Sequence, residues 1–161
     1  MDYSEQFCDI GFDLGGTKLL TFVHSHRGIE EKTIPSGPLF TKVDLVRHWI
    51  AAVDALPEPP RYAGVAVAGL VRDQVVVQCD AMPGLNGLSA SDLEWRGVKP
   101  ILMNDADAAL VGQLARHPGE ENVAMVMIGT NIGMSYMMNG LICTGTQGMA
   151  GEFGKVPIEF E

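Results

Sequence analysis

Positive charge is scarce in this chain. Lysine and arginine number 11 against 20 aspartates and glutamates, a formal net charge of −9 at pH 7. So acidic a chain lacks the electrostatic footprint for a phosphate backbone or an anionic bilayer, so neither nucleic acid nor membrane is expected as a partner. Cysteine is scarcer still. The 3 thiols, Cys8, Cys79 and Cys143, are odd in number and far apart. That excludes a disulfide framework and a zinc spacing, and it points to a reducing, cytoplasmic compartment. Residues 1–6 are acidic and short, unlike a secretory signal. Two familiar nucleotide loops are missing as well: the sequence holds neither G-x-x-x-x-G-K-[ST] nor G-x-G-x-x-G.

What is abundant is glycine, 19 of 161 residues, or about 12% against an average near 7%. In a chain that is 47% hydrophobic and 19% charged, disorder is not expected, and an excess of glycine marks places where backbone must approach something closely. The length holds one domain, with room for a fragment of a second. Residues 122–151 carry no charge, which invites a transmembrane reading. Asn131, Ser135, Asn139, Thr144, Thr146 and Gln147 interrupt the stretch, and Gly129, Gly133, Gly140, Gly145 and Gly148 break any helix through it. Buried strands and glycine loops account for it better.

Periodicity supplies the elements. Cys8, Ile10, Phe12 and Leu14 share one face of a strand and Asp9, Gly11 and Asp13 the other. Gly15 and Gly16 then turn the chain into a returning strand over 18–24, with a third over 29–35. Thr41 and Asp44 form a capping box ahead of Val46, Trp49, Ile50 and Val53 at helical spacing, and Pro57, Pro59 and Pro60 end that helix. Residues 64–69 read as a strand buried on both faces. Another strand follows over 75–79, then a short helix from Ser89 or Ser91 through Trp95. A brief strand over 101–103 runs into Asn104 and Asp105, and Ala106, Ala109, Leu110 and Leu114 mark a helix. His117 and Pro118 read as a boundary, giving domains 1–118 and 119–161. Beyond it come strands over 123–128, 133–138 and 141–143, the last two joined by the Asn139 and Gly140 turn. The class is α/β with a mixed sheet, its opening strands antiparallel and its later ones parallel.

Four places carry candidate chemistry. Asp13, Gly15, Gly16, Thr17 and Lys18 end the first strand. Glycine there lets backbone N–H groups reach an anion, Thr17 adds a hydroxyl, and Asp13 is able to hold Mg²⁺ through water. A solvated glycine hairpin explains Gly15 and Gly16 alone. Asn104 and Asp105 stand at the carboxyl end of a strand, where open α/β sheets bind ligands. Asp105 is placed to take the proton of an attacking hydroxyl, although Asn or Asp at a helix start is also an ordinary cap. Asp107, in the first helical turn, reads as a partner of the helix dipole. Gly129, Thr130 and Gly133 form a turn suited to phosphate. Glu152 is the first charge after a long neutral stretch and is able to bond a polar ligand.

Together these strings resemble the ROK family (repressor, open reading frame, kinase) of bacterial glucokinase-like sugar kinases and regulators. The matching segments are 12–18 (FDLGGTK), 64–71 (GVAVAGLV), 83–88 (PGLNGL), 104–109 (NDADAA), 128–133 (IGTNIG), Asn139 with Gly140, and 148–158 (GMAGEFGKVPI). The resemblance spans residues 10–158 and implies a ribonuclease-H-like, actin-like ATPase fold. It covers a first domain and the opening hairpin of a second that looks truncated. It implies ATP, Mg²⁺ and transfer of the γ-phosphoryl group to a hexose or N-acetylhexosamine. Residue by residue, it puts Asp13, Gly15, Gly16 and Thr17 on the first phosphate motif and Gly129, Thr130 and Gly133 on the second. Asp105 falls on the general base, and Asn86, Gly87, Asn104 and Glu152 fall on sugar-contacting positions.

This chain departs from the family pattern at several positions. Asn131, Met134 and Ser135 stand where the second phosphate loop usually has glycine, and Met tolerates left-handed backbone poorly. Ala68 replaces a common proline. Lys155 replaces a histidine that touches sugar and helps bind zinc, and the cysteine-rich zinc motif is missing, so no structural zinc is expected. These departures leave a second reading, a non-catalytic sugar-binding or regulatory protein. A DNA-binding repressor is disfavoured by the acidity and by the few residues ahead of the first strand. An uncovered sheet face would favour a homo-oligomer.

Overall fold

The computed structural model describes residues 7–128 and 132–152. The chain forms two compact units, Met1–Asp105 and Ala106–Glu161. They meet inside the first turn of a helix, upstream of the proline-containing stop at His117 and Pro118.

In the first unit, β1 (Cys8–Leu14), β2 (Lys18–Ser25) and β3 (Gly28–Pro35) form an antiparallel meander, followed by α1 (Lys42–Asp54). Then come β4 (Tyr62–Val67), a small antiparallel ribbon of β5 (Leu70–Arg72) and β6 (Val75–Gln78), two 3₁₀ turns at Pro83–Leu85 and Ala90–Leu93, and β7 (Ile101–Asn104). The strand order is β3-β2-β1-β4-β7, with β4 and β7 parallel to β1's direction. Alternation along β1 decides the layers. Ile10, Phe12 and Leu14 are buried with Leu45, Trp49 and Val53 of α1, and Phe12 meets the Trp49 ring edge-on at 5.2 Å. Such a pair contributes about 1 kcal/mol beyond its buried area. Asp9, Gly11 and Asp13 occupy the opposite face.

The capping box is present. Thr41 Oγ1 accepts from the Asp44 amide at 3.3 Å, and the Asp44 carboxylate accepts from the Thr41 amide at 3.0 Å. The Thr41 hydroxyl also donates to the Asp44 carboxylate at 2.7 Å, and this bond, followed by that from the Thr41 amide, holds the Asp44 carboxyl below the usual carboxylate range. The short helix expected near Ser89 is a 3₁₀ turn with the same device, Ser89 and Asp92 bonding reciprocally.

In the second unit, α2 (Asp105–Leu114) leads to β8 (Val123–Ile128), β9 (Ile132–Met138) and β10 (Leu141–Ile142). Their order is β10-β9-β8, and both pairings are antiparallel. Among the described strands after α1, parallel pairing is therefore confined to β4 and β7. Asn139 and Gly140 take φ of 52° and 77°, the left-handed pair that matches the twist of a two-residue hairpin. The charge-free stretch thus resolves into strands and a glycine loop, and no helix among the described residues is long and apolar enough to cross a membrane.

Gly69 follows β4 where the ribbon folds back. A Cβ there would lie 2.7 Å from the Gln78 carbonyl oxygen and 3.1 Å from the Cys79 Cβ. Backbone cannot yield as a side-chain tip does. Gly69→Ala is therefore expected to destabilise the chain by about 1–3 kcal/mol, read from urea unfolding. An unchanged midpoint would show that the ribbon shifts freely.

Candidate active site

The turn after β1 is built from backbone. Gly15 N–H donates to the Lys18 carbonyl at 3.0 Å, closing the hairpin. Ser36, just past β3, donates its hydroxyl to the Gly15 carbonyl at 2.7 Å and its amide to the Thr17 carbonyl at 3.0 Å. The turn is thus clamped through its carbonyls. Among the described residues, no intramolecular acceptor is found for the Gly16 and Thr17 amides. The donors an anion needs are therefore left over. Ser36 carries no motif, and its contribution comes from the pairing of β2 with β3. Thr17 and Lys18 are exposed beside these amides. Asp13 is accessible, yet its carboxyl is pushed above the usual carboxylate range by partial desolvation, against the opposing pull of Lys18.

A second loop approaches this turn, for a Cβ on Gly16 would lie 3.4 Å from the Ala81 Cβ. That loop is organised around Cys79, a residue the sequence motifs do not single out. Its amide donates to Asn86 Oδ1 at 2.8 Å, and its thiol donates to the Ala68 carbonyl at 3.3 Å. Burial chiefly pushes the Cys79 thiol up. The Met82 and Ala81 amides bonding to it pull it down, and the Asp80 and Asp105 carboxylates push it up. An inert thiol therefore knits the loop together and lies within electrostatic reach of Asp105. Asn86, an exposed residue, spends its side-chain carbonyl on this loop, which leaves Nδ2 as its side-chain donor. Gly87, at φ 80°, lets the chain turn back, its amide donating to the Val76 carbonyl at 2.8 Å.

The third part is the junction of β7 and α2. Asn104 is the last residue of the strand and Asp105 the first of the helix, with no loop between them. Asn104 Nδ2 donates to the Gly69 carbonyl at 3.0 Å. The parallel register sets Leu14, Val67 and Asn104 level with one another. Two strand spacings, roughly 10 Å of backbone, therefore separate the Asp13 end of β1 from the Asp105 end of β7. Both carboxylates stand at the carboxyl edge of one sheet, with the Asn86 loop beside them.

In the second unit, Gly133 and Glu152 are half-buried. Gly129, Thr130, Asn131 and Lys155 lie outside the described residues. Met134 and Ser135 sit inside β9 without left-handed backbone, so the strain expected of methionine at a glycine position does not arise. Asp107 does more than face the helix dipole: it accepts from the buried Ser135 hydroxyl at 2.5 Å.

Among the described residues no group of three or more His, Cys, Asp and Glu side chains converges. The accessible Asp13 carboxylate beside a turn with open amides has the chemistry to share Mg²⁺ with a phosphate, since that ion keeps several waters and takes few carboxylates. A cavity of about 590 Å³ lies elsewhere, between α1 and the β2–β3 pair, and none of the candidate residues line it.

Comparison with known proteins identifies the family and the fold. The ROK family model matches residues 9–161. The glucokinase of Thermotoga maritima is 29% identical over 161 residues, covering 93% of this chain and 50% of that protein. The xylose repressor of Bacillus subtilis is 28% identical over 158 residues, covering 92% and 38%. The crystal structure of a ROK family glucokinase from Streptomyces griseus, in complex with glucose and AMPPNP, superposes with a TM-score of 0.78 at 25% identity, covering 94% of this chain and 51% of that one. The chain thus spans about half the length of the glucokinases it matches, and less of the repressor. The actin-like ATPase fold implied by the resemblance is borne out.

The raised Asp13 carboxyl has a consequence for stability. Its charged form is disfavoured in the folded state, so at neutral pH it works against folding. That penalty fades as pH falls through the raised value and is gone below the ordinary carboxylate range. Asp13→Asn is expected to unfold at a higher temperature than wild type at pH 7 and at the same temperature near pH 3. A difference that does not shrink on acidification would refute the assignment.

Proposed function

The chain belongs to the ROK family, and on that premise we propose that it carries the phosphate-turn and sugar-facing residues of an ATP-dependent sugar kinase acting on a hexose or N-acetylhexosamine. The observation that carries this reading is the shared carboxyl edge of β1, β4 and β7. It brings the end of β1, with Asp13 and the open amides of Gly16 and Thr17, and the end of β7, with Asn104 and Asp105, to one edge of the sheet two strand spacings apart. The relative that was crystallised with glucose and AMPPNP supports the two substrates.

In this reading Asp105 accepts the proton of one sugar hydroxyl as its oxygen attacks the γ-phosphorus of ATP. The bond to the β,γ-bridging oxygen breaks, ADP leaves, and the proton stays on the Asp105 carboxyl. Asn104, Asn86 and Gly87 hold the sugar so that one hydroxyl faces the phosphate, and the family resemblance gives Glu152 a sugar-contacting role. Gly15, Gly16, Thr17 and Lys18 cradle the phosphates, and the family resemblance gives Gly129, Thr130 and Gly133 the second phosphate motif. Asp13 would hold Mg²⁺ through water, and the ion would neutralise phosphate charge when bound. Positioning and electrostatics provide most of the catalysis in such a reaction.

A second reading has its own support. The similarity to a repressor favours a protein that keeps the sugar site and uses it for regulation. Sugar binding without nucleotide binding or turnover, measured by calorimetry, would select it.

The base assignment is tested in a coupled ADP-release assay with glucose and N-acetylhexosamines. Asp105→Asn is expected to lower kcat by about 10²–10⁴-fold, while calorimetric sugar affinity stays within a few-fold and the melting temperature holds. Turnover near wild type would remove Asp105 from the role.

A further inference from the structure

We propose that Gln74 is the positioning residue that fixes the bearing of Asn104 and Asp105; the proposal rests on the reading of those two residues as the sugar-facing pair. Three observations carry it. The first is conformational. Asp73 and Gln74 form the tip of the β5–β6 ribbon with φ of 50° and 61°. Two consecutive left-handed residues at a hairpin tip favour Asn-Gly, and neither residue here is glycine. A strained residue persists where surrounding contacts determine it.

The second observation supplies those contacts. β7 is the last strand of its sheet, so one edge of it presents backbone groups without a neighbouring strand. Gln74 occupies that edge with its side chain. The Leu102 amide donates to Gln74 Oε1 at 2.8 Å, and Gln74 Nε2 donates to the Leu102 carbonyl at 3.1 Å. A primary amide offers the same donor and acceptor as a peptide group, so the side chain extends the sheet by one residue. The left-handed backbone at the tip is the conformation from which the side chain reaches that edge.

The third observation ties this clamp to the rest of the site. The Gln74 carbonyl accepts from the Ala90 amide at 2.9 Å, and the next residue, Val75, bridges to Ser89. The 3₁₀ turn that closes the Asn86 loop is therefore held by the residue that holds β7. Leu102 lies two residues before Asn104 and three before Asp105. The end of β7 is gripped from one side by the β4 ladder and from the other by Gln74. The side chain is exposed, so replacing it leaves the core intact.

The test is backbone and side-chain hydrogen exchange by NMR on this chain, for wild type, Gln74→Leu and Gln74→Glu, with glucose titrated by calorimetry. In Gln74→Leu, protection at the Leu102 amide is expected to fall roughly tenfold, as for two lost hydrogen bonds. The Asn104 side-chain amide is expected to lose its bond to Gly69, while β1 and α1 keep their protection. Gln74→Glu keeps an acceptor for the Leu102 amide but gains a donor only when protonated. Its Leu102 and Asn104 signals are therefore expected to return toward wild type as pH falls through the introduced carboxyl's titration. Glucose affinity is expected to weaken several-fold in Gln74→Leu. Asn104 signals unchanged in both variants would overturn the positioning role, whatever glucose does. A mobile Asn104 with unchanged glucose affinity would leave the positioning role standing and overturn the sugar-facing reading instead.

Discussion

The parallel pairing of β1, β4 and β7 is the constraint on which the rest depends. Its register makes Leu14, Val67 and Asn104 level, so three strands from distant parts of the chain end on one line. Each strand then does something different at that line. β1 turns back through a glycine hairpin that leaves two amides open, β4 gives way to a ribbon and loop, and β7 becomes a helix without an intervening residue. A one-residue slip in either ladder would move Asp13 or Asn104 to the other face of the sheet. The buried stripe of Ile10, Phe12 and Leu14 against α1 prevents that slip, because it would drive Asp9, Gly11 and Asp13 into the core.

Polar groups around the site are largely engaged in holding backbone. Ser36 clamps the first turn by its carbonyls, Cys79 gathers the Asn86 loop, and Asn104 anchors to Gly69. Among the described residues this division leaves the Gly16 and Thr17 amides without an intramolecular acceptor and Asn86 Nδ2 as a side-chain donor. A surface rich in fixed donors beside carboxylates is suited to phosphate and sugar hydroxyls, and it is compatible with a chain whose net charge is −9. Backbone dipoles do not register in a charge count.

Local signals were legible where a single residue type forces the geometry. The capping box at Thr41 and Asp44 and the Asn139 and Gly140 turn are of this kind; Gly15 and Gly16 also turn the chain as expected, though without left-handed backbone. The β5–β6 ribbon was not legible as a hairpin. Its tip residues, Asp73 and Gln74, adopt left-handed backbone for the sake of a contact with β7 that lies 28 residues onward. Met134 misled in the opposite direction: a glycine position in the family pattern suggested a special backbone, and the residue is ordinary extended strand. Of the candidate residues, Asp13, Gly15, Gly16, Thr17, Lys18, Asn86, Gly87, Asn104 and Asp105 fall in the first unit, at one edge of its sheet or in the loop beside it.

The sequence by itself determined the elements and their faces, because alternation, caps and glycine turns act through neighbours a few residues apart. It also determined which carboxylates and amides end those elements. Tertiary structure decided which ends meet. Strand order and register arise from burying one apolar stripe against α1, a free energy summed over the whole first unit that no local string encodes. The same long-range packing recruited Ser36, Gln74 and Cys79, whose types are common and whose spacing is uninformative. Their roles exist only once β3, the ribbon and β7 have come together.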